Sequence, residues 1–174
     1  MTSLNPAEIP LILLGAGGHA KVLLALAQTA GYSVIGVCDP RLAAQKQAEW
    51  RGVPVLGGDE ALSSVDPASV ALINGIGQLV GSRVRALAYE TMRGKGFRFP
   101  SLVHSSAWVA PSVSLSEGVQ VMAGAIIQPD CEIGENSIVN TGATIDHDCV
   151  VAGNVHIAPG ATLCGGVRVG VGAF

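Results

Sequence analysis

The chain has 174 residues, 49% of them hydrophobic and 13% charged, with a formal net charge of −3. That apolar share is enough to bury a core and excludes disorder, and the length fits one or two small domains. A slightly acidic chain offers no overall positive field to nucleic acid or to an anionic membrane, so a phosphate-bearing ligand needs a local site.

The first apolar run, residues 9–14, is too short to span a bilayer and lacks the basic start and cleavage site of a signal peptide. The protein is therefore expected in the cytoplasm. Residues 11–14 read as a first strand, 18–30 as a helix and 33–38 as a second strand. Residues 53–56 make a short third strand, 70–74 a fourth, and 79–93 a helix ended by Gly94. Short β-branched runs alternating with helical stretches predict a parallel sheet covered by helices, an α/β Rossmann-like domain over residues 1–103.

From Ser106 the helical period disappears. The chain divides without a slip into hexads, SAWVAP, SVSLSE, GVQVMA, GAIIQP, DCEIGE, NSIVNT, GATIDH, DCVVAG, NVHIAP, GATLCG and GVRVGV. The fourth place is always Val, Leu or Ile, and the first is Ser, Gly, Asp or Asn, residues that tolerate tight turns and positive φ. This predicts a coil with three flat faces over residues 104–174, three hexads to a turn, with fourth-place side chains inside a narrow prism. Such a prism excludes large side chains, in keeping with 23 glycines against two Trp, two Tyr and three Phe. Stacking of successive coils at about 4.8 Å brings Pro129, His147 and Gly165 into one column.

Four cysteines, Cys38, Cys131, Cys149 and Cys164, form no CxxC pair and no cluster with His, so no metal is expected. His147 closes its hexad and so should stand outward at a corner, with Asp146 and Asp148 beside it. An imidazole can act as a base when one ring nitrogen faces the nucleophile and an acceptor holds the other; Asp148 is placed to be that acceptor. The plain alternative is a surface turn histidine. His156, in the third place of its hexad, should also face outward, on another edge. His104 receives no role.

Gly15-Ala16-Gly17-Gly18-His19-Ala20 satisfies GxGxxA between a strand and a helix, and Asp39 follows the second strand. An NAD-dependent oxidoreductase is one reading of this turn. The roughly ninety residues before the repeats are too few for the second half of a dinucleotide domain. A glycine-rich turn at a helix start holds any phosphate, so the diphosphate or base of a nucleotide sugar fits better. For the glycines the alternative is close strand-to-helix packing, for His19 a solvent-facing ring, and for Asp39 a cap on the next helix.

The hexads resemble those of the hexapeptide-repeat acyltransferases, which form left-handed β-helices. The order of Leu14 to Lys21, Asp39, Asn74-Gly75-Ile76-Gly77 and Asn140 to Cys149 resembles the PglD/NeuD-like sugar acetyltransferases. That resemblance implies acetyl-CoA as co-substrate, a nucleotide-linked amino sugar as acceptor, and a homotrimer with its sites between protomers. It implies His147 as general base oriented by Asp148, and Gly15, Gly17, Gly18, His19, Asp39, Gly77 and Asn140 as contacts to the acceptor substrate. His156 and Gly165 are implied in the acetyl-CoA pocket. Members usually continue for further coils, so coils beyond Phe174 are expected to be missing. Within the class, O-acetylation of a sugar such as sialic acid is the rival, and outside it a non-catalytic trimeric binding protein.

Overall fold

The computed structural model describes residues 9–174; residues 1–8, the start of the expected first domain, lie outside the described residues. The chain forms two compact units, one of Met1–Gly77 with Leu87–Pro100 and one of Gln78–Ala86 with Ser101–Phe174.

In the first unit, β1 (Leu11–Leu14), β2 (Val34–Cys38), β4 (Val53–Gly57) and β5 (Ala71–Asn74) are parallel, and the sheet order is β3-β4-β2-β1-β5. The edge strand β3 (Glu49–Trp50) runs antiparallel to β4, a pairing that alternation of strands and helices did not predict. Residues 11–14 are all buried, as continuous apolar runs in a covered parallel sheet must be. Helix α1 (Gly18–Thr29) follows β1 and buries Ala20, Leu23, Leu24, Leu26 and Ala27. A short α2 (Pro40–Ala44) and a 3-10 turn (Asp59–Ser64) add to the expected elements.

Helix α3 (Val84–Gly94) begins five residues later than its periodicity predicts. Gly81 adopts φ 74, which ends any helical path through it. The Ser82 amide closes a turn on Leu79 instead.

In the second unit, two-residue strands recur every hexad and pair with strands one coil away. Three parallel four-stranded sheets result, β7-β10-β13-β16, β8-β11-β14-β17 and β6-β9-β12-β15. Here β6 is Leu102–Val103, β7 Trp108–Val109, β8 Ser114–Leu115 and β9 Gln120–Val121; β10 is Ile126–Ile127, β11 Glu132–Ile133, β12 Ile138–Val139 and β13 Thr144–Ile145. The last are β14 (Val150–Val151), β15 (His156–Ile157), β16 (Thr162–Leu163) and β17 (Arg168–Val169). This is a left-handed parallel β-helix.

Each strand is the third and fourth place of its hexad, so the fourth side chain points inward. Val121, Ile127, Ile133, Val139, Ile145 and Val151 are at most 1% exposed. Every first place from Gly118 to Gly172 has a positive φ, including Asp130, Asn136, Asp148 and Asn154. The corner thus restricts that place to the few residue types the sequence carries there. The coil begins at Leu102, since β6 pairs with β9. No helix among the described residues is long and apolar enough to cross a membrane.

Candidate active site

His147 stands at a corner of the β-helix with its side chain 62% exposed, and Asp148, 66% exposed, turns the corner beside it at φ 58. Asp148 Oδ2 lies 2.7 Å from His147 Nδ1. A carboxylate is an acceptor only, so in the neutral ring Nδ1 carries the proton and Nε2 the lone pair. The bond to Asp148, and then the charge of Asp146, raise the His147 pKa above the ordinary histidine value.

The loop is fixed from both sides. The Asp148 amide donates to the Pro129 carbonyl one coil back (3.1 Å), and the Gly166 amide donates to the His147 carbonyl (2.8 Å). The Asp146 carboxylate accepts from the His147 amide at 2.8 Å, and the Asp146 carbonyl accepts from the Cys131 thiol at 3.0 Å.

Gly165 completes this cluster. A Cβ there would stand 2.7 Å from both Cε1 and Nε2 of His147, so the imidazole occupies the space that any other residue would fill. The predicted column of His147 over Gly165 is therefore a ring lying on a bare backbone. Gly165 sits against His147 rather than with His156.

His156 and Asn140 form a second cluster, on the face built by β12 and β15. Asn140 Nδ2 lies 2.8 Å from His156 Nε2, while Asn140 Oδ1 accepts from the Thr141 amide at 2.8 Å. His156 is half-buried rather than fully outward, and its ring meets Phe174 edge-on at 4.7 Å. Its Nδ1 is buried and makes no hydrogen bond among the described residues. Burial, and then the charge of Arg85, lower the His156 pKa. Asn140 does not have a positive φ, so it is not a left-handed corner residue.

The first unit assembles the glycine-rich turn. Gly15 has φ 80, and a Cβ there would lie 3.0 Å from Ile76 Cγ1. Gly17 is the N-cap of α1 without a side-chain cap, and Gly17 and Gly18 are exposed with open space where a Cβ would be. Free amides at the start of a twelve-residue helix attract an anion.

Asp39 holds this turn. Its Oδ2 accepts from the Ala16 amide at 2.8 Å, and its Oδ1 caps α2 by accepting from Arg41 and Leu42 at 2.9 and 3.0 Å. The capping role is thus present, and with it a tie to the glycine-rich turn that spacing alone did not suggest. Gly77 lies beside His19, a Cβ at 77 being 3.5 Å from His19 Cβ.

Gly75 carries the tightest constraint of this region, since a Cβ there would stand 2.8 Å from Leu14 O and 2.7 Å from Leu13 Cδ1. A cleft of about 380 Å³ opens next to the turn, lined by Lys21, Arg41, Gln45, Gln47 and Trp50 as well as Ala16 to Gly18. Sequence reading gave no binding role to Lys21, Arg41 or Trp50, which line this cleft. Among the described residues no group of three His, Cys, Asp or Glu is arranged to hold a metal. Cys38, Cys131 and Cys149 are buried free thiols, and Cys164 is an exposed one.

A three-faced hexad coil with an outward, carboxylate-braced imidazole, after a glycine-rich α/β unit, defines a sugar-acyltransferase architecture. Residues 10–91 match the PglD N-terminal domain and residues 112–147 the bacterial transferase hexapeptide (six repeats). A mutant of perosamine N-acetyltransferase from Caulobacter crescentus, solved with CoA and GDP-perosamine, is 38% identical with a TM-score of 0.85; the match covers 95% of this chain and 76% of that one. The acetyltransferase domain of PglB from Neisseria gonorrhoeae, in complex with acetyl coenzyme A, is 37% identical with a TM-score of 0.82, over 94% of this chain and 80% of that one. WeeI from Acinetobacter baumannii, 22% identical with a TM-score of 0.75 over 90% of this chain and 72% of that one, shares the fold. Comparison with curated proteins finds no match. The chain belongs to the hexapeptide-repeat acetyltransferases that carry a PglD-type N-terminal domain. That membership sets aside both the oxidoreductase and the non-catalytic readings.

Proposed function

We propose that the chain transfers an acetyl group from acetyl-CoA to the amine of a nucleotide-linked 4-amino-4,6-dideoxy sugar, for surface glycan synthesis in the cytoplasm. The observation that carries this reading is the His147 ring, held through Nδ1 by Asp148 at 2.7 Å in a side chain that is 62% exposed. Nε2 takes the proton of the sugar amine as its nitrogen attacks the thioester carbonyl. The new C–N bond forms, the C–S bond breaks, and the thiolate leaves as CoA after protonation. The transfer is direct, with no acyl group on the enzyme. Asp148 holds the tautomer and stabilises the imidazolium that forms.

Residues 1–103 are proposed to bind the nucleotide sugar and 104–174 to carry the transfer. In the first part, the open amides at Gly17 and Gly18 receive the diphosphate, Gly15 shapes the turn, and Asp39 holds it. His19 and Gly77 stand together beside that turn as further contacts. Asn140 is proposed to contact the acceptor. His156, whose buried Nδ1 has no hydrogen-bond partner among the described residues, is proposed to donate to acetyl-CoA, and Gly165 leaves room for the base and the thioester. A homotrimer supplies the second wall of the site. The solved relatives named as binding GDP-perosamine with CoA, and acetyl coenzyme A, support this assignment.

Incubation with acetyl-CoA and a panel of nucleotide-linked amino sugars, followed by mass spectrometry and alkali treatment, tests the reading. An alkali-stable monoacetylated nucleotide sugar is expected. An alkali-labile product, formed on a hydroxyl, would replace N-acetylation by O-acetylation.

A further inference from the structure

Among the described residues the largest fully buried side chain is a charged one. Arg85, 1% exposed, sits in the first turn of α3 and donates Nε and Nη2 to the Asn136 carbonyl at 3.2 and 3.1 Å. Burial pulls its pKa down to about 9, so it remains a cation at neutral pH. Burying a cation is costly, and the reaction described above does not use it.

The clamp sits where two strands begin. Asn136 and Asn154 are left-handed corner residues one coil apart, and Asn136 Nδ2 donates to Asn154 Oδ1 at 2.7 Å. Gln78 Nε2 donates to the Asn154 carbonyl at 3.3 Å. The strands that leave these two corners, β12 and β15, lead to Asn140 and contain His156. Arg85 and Gln78 thus fasten the starting points of the segments that bear the second cluster.

The state of His156 follows from its amide partner. Asn140 Oδ1 is committed to the Thr141 amide, so Nδ2 faces the imidazole and donates to Nε2. Nε2 is then unprotonated, and the proton of the neutral ring lies on Nδ1. A protonated ring would set one N–H against another. The groups that act on the ring are Asn140 from the end of β12, Phe174, and Arg85 from α3, which is the charged one among them. Its field and the burial of the ring oppose protonation together.

We propose that Arg85 is a positioning residue, which clamps the Asn136–Asn154 corner and keeps His156 neutral, with Nε2 accepting from Asn140 and Nδ1–H left as a donor. This rests on the assignment of His156 to the acetyl-CoA pocket, although its test does not require acetyl transfer.

The test is histidine ¹⁵N NMR of the intact chain through a pH titration, with Arg85→Gln and Arg85→Lys. In the unsubstituted protein His156 is expected as the Nδ1–H tautomer, titrating below an ordinary histidine. R85Q keeps hydrogen-bond donors but loses the charge, so the midpoint rises and KM for acetyl-CoA increases several-fold at the acid end, recovering as pH is raised. R85K returns the midpoint towards the original value. If R85Q does not fold, Arg85→Met supplies the uncharged side chain. An Nε2–H tautomer, or a midpoint indifferent to the charge at position 85, overturns the proposal. Failure of acetyl transfer with the tautomer and midpoint as stated would overturn the functional reading instead.

Discussion

At the scale of single residues, one position serves two physical demands. The coil needs a residue at 148 that accepts φ 58, and His147, the proposed base, needs an acceptor within reach of Nδ1; an aspartate meets both. Since the hydrogen bond to Asp148 is the largest cause of the raised His147 pKa, and the base works when neutral, transfer should fall as pH drops through that raised value. Asp148→Asn should therefore move the acid limb of the kcat/KM profile to lower pH while reducing the plateau by about tenfold or more. Gly165→Ala tests the bare column. Its methyl would enter the space of an exposed imidazole 2.7 Å away, so the ring moves and the fold stays. Unfolding stability should change by less than about 0.5 kcal/mol, while kcat drops by roughly tenfold or more; denaturant unfolding and steady-state rates measure the two.

At the scale of elements, glycines divide into those that turn corners and those that admit a neighbouring backbone. Gly75 and Gly134 are of the second kind. A Cβ at 75 would lie 2.8 Å from Leu14 O, and one at 134 would lie 2.5 Å from Ala152 C and Gly153 N in the next coil. Backbone held by hydrogen bonds, in β1 at Leu14 and between coils at Ala152, cannot retreat as a side-chain end can, so Gly75→Ala and Gly134→Ala should each cost about 1–3 kcal/mol in urea unfolding. The strands of the β-helix were legible from sequence because the code is local: the place in the hexad decides which way a side chain points. The start of α3 was not, because residues 79–83 have a helical pattern while Gly81 and the bond from Gln78 to Asn154, far along the chain, dictate a turn. The antiparallel β3 was missed for a similar reason, being two residues long and defined by its partner alone.

At the scale of the whole molecule, an imidazole with 62% of its side chain exposed has no second wall within one prism. Acetyl transfer needs water excluded and two substrates aligned, which a neighbouring protomer can supply. Light scattering should therefore give three times the 17.6 kDa of one chain, and a stable monomer would count against the shared site. His147 and Asp148 were readable as a pair because they are adjacent in sequence. The pairing of Asn140 with His156, and the role of Arg85, depend on stacking and on a helix that returns to the coil, neither of which leaves a mark in the spacing. Arg85 looks from sequence like one more polar residue on a helix.

The most direct test of the account is the rate of acetyl transfer by His147→Ala, measured beside its circular dichroism spectrum. The side chain is exposed and supports no core, so the spectrum should be unchanged, while the rate should fall by about 10²–10⁴-fold, the usual contribution of general acid–base catalysis. A folded His147→Ala protein that acetylates the amino sugar as fast as the original would contradict the assignment of that imidazole as the base.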